Sequence, residues 1–255
     1  MASVPRVVNS NARASALAAA LDAGGPIPGL GDDVVLVLGG DGTMLHAIHD
    51  HPGARTFIGL NCGYLGFLMN DLPAENAAAH VRERLQAGRW VAHRFPRLRL
   101  RADTTAGVVE GLAVNDVYVE RQSGTTVQLR AWIDGHQLAS RLVCDGLIAA
   151  TPVGSTAYSY SAGGAASHPL VRSVHLTAIC PHAPRLAPIV LPASAKIAID
   201  VLDPGRRPAR AVVDGRAHGD VLRVEIASDP GDDVSLGYFD DHDFTATLLR
   251  KVLRR

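Results

Sequence analysis

Residues 34–43 read Val34-Val35-Leu36-Val37-Leu38-Gly39-Gly40-Asp41-Gly42-Thr43. Five aliphatic residues stopped abruptly by glycines describe a strand buried on both faces, as in the interior of a parallel sheet. The glycine turn leads into Met44–Asp50, which reads as the start of a helix. In open α/β sheets ligands sit beyond the carboxyl ends of the strands. Glycines there let a phosphate approach the backbone closely, and a following helix N-terminus favours anions. Gly39, Gly40, Gly42 and Thr43 are therefore candidate phosphate-binding residues. A carboxylate in such a turn repels phosphate. Asp41 makes chemical sense if it holds a divalent metal or accepts a proton from an attacking hydroxyl; capping of the helix is the plainer alternative. His46, further along the same helix, is a candidate to reach the same ligand, against the reading of an ordinary surface histidine.

Working outward, the Ala-rich segment Asn11–Leu21 predicts a helix that ends near Gly24 and Gly25. Phe57-Ile58-Gly59-Leu60 predicts a second buried strand, and Ala74–Ala87 an amphipathic helix closed by Gly88. This alternation of strand and helix predicts an α/β domain over residues 1–93. From Phe95 the pattern changes to short alternating strands at Arg97–Ala102, Gly107–Asn115 and Thr125–Ile133, with a hairpin turn at Asp134-Gly135. Further strand patterns fall at Ile189–Leu191, Lys196–Leu202, Arg210–Val213 and Val221–Ile226. A mostly-β domain is expected over 94–235. Residues 236–255 are expected to pack back on the first domain, with a helix at Leu248–Arg255.

The chain has 255 residues, 47% of them hydrophobic, enough for a sizeable core. A formal net charge of zero argues against a general grip on nucleic acid. No apolar run approaches the roughly 18 residues of a membrane helix, and no signal-peptide pattern opens the chain, so a cytoplasmic protein without membrane contact is expected. The three cysteines, Cys62, Cys144 and Cys180, are widely spaced, which argues against a disulfide framework or a cysteine zinc site.

Three further segments carry a resemblance. Asn61-Cys62-Gly63-Tyr64-Leu65-Gly66-Phe67-Leu68 resembles the NxGxLGFL segment of NAD kinases. Asn115-Asp116 is similar to their Asn-Glu/Asp pair. The run from Asp145-Gly146-Leu147 through Thr151-Pro152-Val153-Gly154-Ser155-Thr156-Ala157-Tyr158-Ser159 resembles their DGLxxxTPxGSTAYS signature. GGDGT itself is shared with diacylglycerol, sphingoid lipid and phosphofructokinase families, whereas the GSTAYS segment is specific. The four motifs stand in family order across residues 34 to about 169, and the compact length resembles the small bacterial NAD kinases.

The resemblance implies a Rossmann-like domain joined to a mostly-β domain. It also implies transfer of a phosphoryl group to the adenosine ribose 2′-hydroxyl of NAD, giving NADP. By position, Asp41 is implied as general base beside that hydroxyl. Gly42 gives close backbone approach to NAD, and Phe67 packs near the adenine, with core packing of nearly equal weight. Asn115 and Asp116 hold the adenosine, against a plain strand-end turn. Thr156, Ala157, Tyr158, Ser159 and Ser161 line the dinucleotide site, where Tyr158 offers a stacking face with one polar handle. Asp145 is implied at the nicotinamide end, across a subunit interface, so a homodimer or homotetramer is expected. Asp214 resembles a late Asp-Gly of the family, with a hairpin turn at least as fitting. ATP or inorganic polyphosphate is the implied donor. A divalent ion, Mg²⁺, is expected from the chemistry, with no ligand set legible.

The chain departs from the family pattern at Val153, where Thr or Ser is usual, and at Tyr160 and Ala165 in the pocket wall. The family's PHSLSxRP appears as Pro181-His182-Ala183-Pro184-Arg185-Leu186-Ala187-Pro188. These changes bear on the choice between NAD and NADH more than on the reaction. The competing readings are a lipid kinase of the same fold, which would lack GSTAYS, and a dinucleotide-binding module without catalysis, for which Asp41 has little use.

Overall fold

The computed structural model describes residues 6–9, 11–63 and 66–253. Tyr64, Leu65 and the last two residues of the expected C-terminal helix lie outside the described residues. The chain divides into two compact units, Met1–Phe95 with Val234–Arg255, and Pro96–Asp233.

The first unit is α/β. Its elements are β1 (Arg6–Val8), α1 (Ala12–Ala23), β2 (Val34–Gly39), α2 (Asp41–Asp50), β3 (Thr56–Asn61), α3 (Ala77–Gln86) and β4 (Trp90–Phe95). Every residue of β2 and β3 is buried, as continuous apolar runs in a parallel sheet require. Asn11 caps α1 by accepting the Ala14 N–H. Helix α2 begins at Asp41, three residues before the start that the apolar pattern suggests. Gly40 is its N-cap, and the Thr43 hydroxyl accepts the Gly40 N–H. Asp41 thus occupies the first helical position, where the helix dipole favours an acid. Helix α3 starts at Ala77, after Asn76 in the left-handed region (φ 56°), rather than at Ala74.

The chain returns to this unit as a strand. Within the 236–255 segment the sequence pattern suggests only a helix, yet the later of two elements, α5 (Phe244–Leu253), is preceded by β17 (Val234–Phe239). Sheet order is β1-β2-β3-β17-β4. β17 runs parallel to β3 and antiparallel to β4. It is almost wholly buried, and Gly237 lets it lie against Ile58 and Trp90, where a Cβ would clash. Asn70 ties this centre together. Its buried amide donates to the carbonyls of Gly59 and Gly237 and accepts the Phe239 N–H.

The second unit is all-β apart from short helical turns. Its strands are β5 (Leu98–Thr104), β6 (Gly107–Ala113), β7 (Asp116–Arg121), β8 (Val127–Ile133), β9 (His136–Cys144), β10 (Gly146–Ala150), β11 (Ser173–Ile179), β12 (Ile189–Pro192), β13 (Ile197–Leu202), β14 (Ala209–Val213), β15 (Arg216–His218) and β16 (Val221–Ala227), with α4 (Tyr158–Ser161) after β10. They form two six-stranded sheets, ordered β12-β11-β10-β7-β14-β15 and β6-β5-β16-β13-β8-β9. One apolar core joins the inner faces of both, including Leu98, Val117, Leu129, Leu147, Ile199 and Val224, the sandwich logic of paired antiparallel sheets. Asp134 and Gly135 both have positive φ (50° and 80°), as the tight turn between β8 and β9 needs.

Asn70→Ala removes three backbone-directed hydrogen bonds from a buried site. The variant is expected to lose about 3 kcal/mol of stability, seen as a lower urea midpoint with unchanged slope.

Candidate active site

In the first unit the turn between β2 and α2 places Asp41 at the carboxyl end of a central strand. Its carboxylate does not cap its own helix. Oδ2 accepts the Phe67 N–H at 3.0 Å, and Oδ1 accepts the Leu68 N–H at 2.9 Å. The Lys251 ammonium, from α5, donates to Oδ2 at 3.2 Å. Such bonds to an ionised group are roughly twice as strong as neutral ones. Gly66 makes the approach possible, since a Cβ there would stand 2.5 Å from Asp41 Oδ1. Phe67 is 2% exposed. Its carbonyl accepts the Tyr238 hydroxyl at 2.9 Å, and Lys251 Nζ lies 4.7 Å from its ring centroid. The ring is thus packed in the unit, which favours the core reading over an open adenine platform.

The glycines of the turn divide by role. A Cβ on Gly39 would overlap the Thr43 side chain, so Gly39 serves the packing of α2 against β2. Gly40 and Gly42 have nothing within 4 Å of such a Cβ. Helix geometry leaves the amides of Asp41, Gly42 and Thr43 without intrahelical acceptors, next to this open space. The Thr43 hydroxyl is engaged locally, accepting from Asn9 and Gly40. His46 is exposed on α2.

In the second unit Asn115 and Asp116 form the corner from β6 to β7, and three neighbours hold it. The Asp214 carboxylate accepts the N–H groups of Val114, Asn115 and Asp116 at 2.7, 2.8 and 3.2 Å. Thr151 donates its hydroxyl to the Val114 carbonyl and its N–H to the Asn115 carbonyl. Gly154 packs so closely that a Cβ would overlap the Asn115 carbonyl. Asp214 is therefore a clamp on the backbone of the Asn-Asp pair, in addition to forming the turn after β14 at φ 46°.

Along β7, Val117 and Val119 enter the inter-sheet core, so Asp116 and Tyr118 face the opposite side. There the Tyr118 ring meets Tyr158 edge-on, centroids 5.0 Å apart. The 156–161 segment splits by exposure. Tyr158 and Ser161 are exposed and Ala157 is half-buried, whereas Thr156 and Ser159 are buried. Thr156 donates to the Val153 carbonyl, and the Ser159 hydroxyl pairs with that of Thr177 at 2.9 Å. Val153 is itself buried. Asp145 forms an ion pair with Arg121 at 2.9 Å.

Asp116 is 5% exposed, and among the described residues none donates a hydrogen bond to its carboxylate. Burial, with the nearby Asp214 charge adding, pushes its carboxyl up to about 7 from 3.8. Burial likewise raises the Tyr118 hydroxyl to about 12 and that of Tyr158 above its ordinary value. A different concavity, about 650 Å³ on the outer face of the β5–β16–β13–β8 sheet, is lined by Arg99, Arg101, Trp132, Lys196 and Arg223. Its arginines are already paired, Arg99 with Asp232, Arg101 with Asp103 and Arg223 with Asp200, and it includes none of the candidate residues.

A family model described as the ATP-NAD kinase C-terminal domain matches residues 114–227, from the Asn-Asp corner to the end of β16. The chain is 34% identical over 224 residues to the NAD kinase of Brucella suis, covering 87% of this chain and 85% of that one. It belongs to the NAD kinase family. Among solved structures, yeast NADH kinase complexed with NADH superposes with a TM-score of 0.72 at 26% identity, over 87% of this chain and 66% of that one. An NAD kinase from Archaeoglobus fulgidus in complex with ATP superposes with a TM-score of 0.78 over the full length of both chains. At 22% identity, that second likeness speaks for the fold alone.

In this NAD kinase family member several residues support the candidate sites in ways that the motifs do not spell out. Thr151 and Gly154 sit inside the long signature but act on Asn115, 36 and 39 positions away. Tyr118 is two residues past the Asn-Asp pair, and the period of a strand would have put it on the same face. Lys251 lies in a C-terminal helix and reaches Asp41 only through the return of the chain as β17.

The Asp116 carboxyl gives a pH dependence with a definite sign. Its folded-state value lies above its unfolded one, so its contribution to stability is full below about pH 4 and is lost as pH rises through about 7. The gap from 3.8 to about 7 amounts to on the order of 4 kcal/mol. Asp116→Asn removes this titration. The melting temperature of the variant is expected to gain on the parent between pH 5 and 8, and a constant difference across that range would contradict the assignment.

Proposed function

We propose that this chain is an NAD kinase that transfers the γ-phosphoryl group of ATP to the 2′-hydroxyl of the adenosine ribose of NAD, giving NADP and ADP. The observation that carries this reading is Asp41. It is a carboxylate oriented by two backbone amides at the end of a buried strand, beside an open glycine turn and a helix N-terminus. A binding module for phosphate gains nothing from an acid there, whereas a kinase needs one to take the proton of a weakly nucleophilic hydroxyl.

In the reaction the ribose 2′-oxygen forms a bond to the γ-phosphorus. The bond from that phosphorus to the β–γ bridging oxygen breaks, and ADP leaves with the electron pair. The hydroxyl proton passes to Asp41. A carboxylate offers about four lone-pair sites. Among the described residues three are used, by Phe67, Leu68 and Lys251, two of them on Oδ2, so Oδ1 keeps one directed site for the proton. The amides of Asp41, Gly42 and Thr43 face the donor phosphates, and the bare surfaces of Gly40 and Gly42 give them room. Gly39 supports this cradle by packing.

Asn115 and Asp116 hold the adenosine of NAD, the ionised carboxylate accepting from ribose hydroxyls. Tyr158 and Ser161, the exposed members of their segment, contact the dinucleotide with Ala157. Thr156 and Ser159 shape that wall from within, Phe67 supports Asp41 from below, and His46 is an outer contact. Among the described residues no group of three or more His, Cys, Asp or Glu is placed to hold a metal ion. This suits Mg²⁺ that arrives on the donor, since that ion commonly binds through substrate phosphates and one or two carboxylates; it supplies neutralisation of phosphate charge. Inorganic polyphosphate is a second donor of the same chemistry. Asp145 and Arg121 stand at the contact of a homodimer or homotetramer. None of the described helices is long and apolar enough to cross a membrane, and the setting is the cytoplasm.

The test is a coupled assay for NADP with purified protein, Mg²⁺, ATP or polyphosphate, and NAD, NADH or diacylglycerol as acceptor. NADP from NAD and no product from diacylglycerol are expected. Asp41→Asn is expected to lower turnover at least ~100-fold while NAD binding, followed by calorimetry, persists. Turnover equal to the parent would remove Asp41 from the general-base role.

A further inference from the structure

The cation over Asp41 has a place in the same site. We infer that Lys251 is a donor-phosphate-binding residue, whose ammonium, paired with Asp41, turns to the incoming phosphoryl group when the donor binds. This inference rests on the kinase reading given above.

Its geometry is already that of the reacting centre. Lys251 Nζ is 3.2 Å from Asp41 Oδ2 and 4.7 Å from the Phe67 ring centroid. An oxygen that takes the place of this ammonium at Asp41 therefore lies next to it. The two amides of Phe67 and Leu68 orient the carboxylate without its help. A highly charged donor brought to Asp41 meets repulsion unless a cation stands beside it, and Lys251 is the cation that the described residues place there. Its side chain is 19% exposed, so phosphate can reach it.

Docking of α5 does not need the ammonium. Phe244 packs edge-on against His93, Tyr238 and His242. Arg250 pairs with Asp71 at 2.9 Å. A purely structural lysine would duplicate these anchors. The residue type also matters. Of the 25 basic residues only two, Lys196 and Lys251, are lysines. In a chain that otherwise uses arginine, a compact ammonium on a flexible stem stands where a charge must change partners, whereas a guanidinium would grip the carboxylate in a fixed fork.

The experiment compares the parent with Lys251→Met, which keeps the stem over Phe67, and with Lys251→Arg. Lys196→Met, in the other unit, is the control. Calorimetry gives the affinity for ATP, for inorganic tripolyphosphate and for NAD, steady-state kinetics separate KM for ATP from KM for NAD, and melting temperature reports folding. Lys251→Met is expected to bind ATP and tripolyphosphate at least about tenfold more weakly, with NAD affinity within about twofold of the parent. Lys251→Arg is expected to recover part of the phosphate affinity, and Lys196→Met to match the parent. Undiminished tripolyphosphate binding by Lys251→Met would overturn the inference. So would an equal loss for NAD and ATP together with a fallen melting temperature, the mark of a structural residue. A parent protein that makes no NADP refutes the kinase reading itself; a parent that makes NADP beside an unaffected Lys251→Met refutes only the role of Lys251.

Discussion

Two consecutive backbone N–H groups, those of Phe67 and Leu68, grip one carboxylate, and much of the first unit is arranged to let them. The donors must lie flat against the carboxyl end of β2, which requires the 66–70 segment to run directly over β3. Gly59 permits that, because a Cβ there would strike the Leu68 carbonyl and the side chains of Met69 and Met44. Gly66 permits the last approach to Asp41. Asn70 then fastens the segment to β3 and β17 through three backbone bonds, and Tyr238 fastens it again through the Phe67 carbonyl. The return of the chain as β17 is thus part of the support of Asp41. Backbone donors carry no rotamer freedom of their own, so the carboxylate is preorganised at little entropic cost.

The second unit uses acids in two opposite ways within one corner. Asp214 spends its carboxylate on three successive backbone amides, a structural use that leaves little for a ligand. Asp116, at the corner it holds, is buried with no donor among the described residues directed at it. An unpaired buried carboxyl is costly to ionise, and the charge of Asp214 raises that cost. Proteins keep such groups where a ligand supplies the missing donors. Ribose hydroxyls are donors of that kind. The exposed Tyr158 stands on the same face as Asp116, by way of Tyr118.

The parts of this architecture written in local pattern were legible from the residues. The apolar run 34–38 before the glycines, the second run at 57–60 and the alternation from residue 97 onward all became strands of the expected kind. What local pattern lacked was partnership at a distance. Val234–Phe239 alternates large apolar residues with Ser235 and Gly237 for too short a run to stand out, and its place between β3 and β4 makes it a strand. β10 reads as a short apolar run buried on both faces, while β11 alternates polar with apolar residues, its Ser173, His175 and Thr177 being buried on the face away from the sandwich core. Helix α2 begins three residues before its apolar pattern because its first turn, Asp41-Gly42-Thr43 after the Gly40 cap, carries no large apolar residue. At the candidate sites, motif position singled out Asp41, Asn115 and Asp116 as candidates but could not separate Thr156 and Ser159, which are buried, from Tyr158 and Ser161, which are exposed. One strand-to-helix turn holds both kinds, and three-dimensional packing alone sorts them. Lys251 left no sign in its own neighbourhood, since a lysine in a terminal amphipathic helix reads as a solvated face.

Charge balance links these observations. A helix N-terminus and bare glycines attract phosphate, while Asp41 opposes it. An isolated acid at that place would weaken the hold on any anion and would be hard to explain in a protein that only binds nucleotides. The opposition is relieved in two ways that leave the carboxylate usable. The Phe67 and Leu68 amides spread its charge into the backbone without covering it, and the Lys251 ammonium adds a counter-charge at one oxygen while the other keeps an unshared position. A site built only for phosphate would have omitted the acid, and one built only for stability would have buried the pair fully. The arrangement in between, with both side chains about a fifth to a quarter exposed, fits the general-base role proposed for Asp41: a carboxylate kept in place, partly open, and next to a cation.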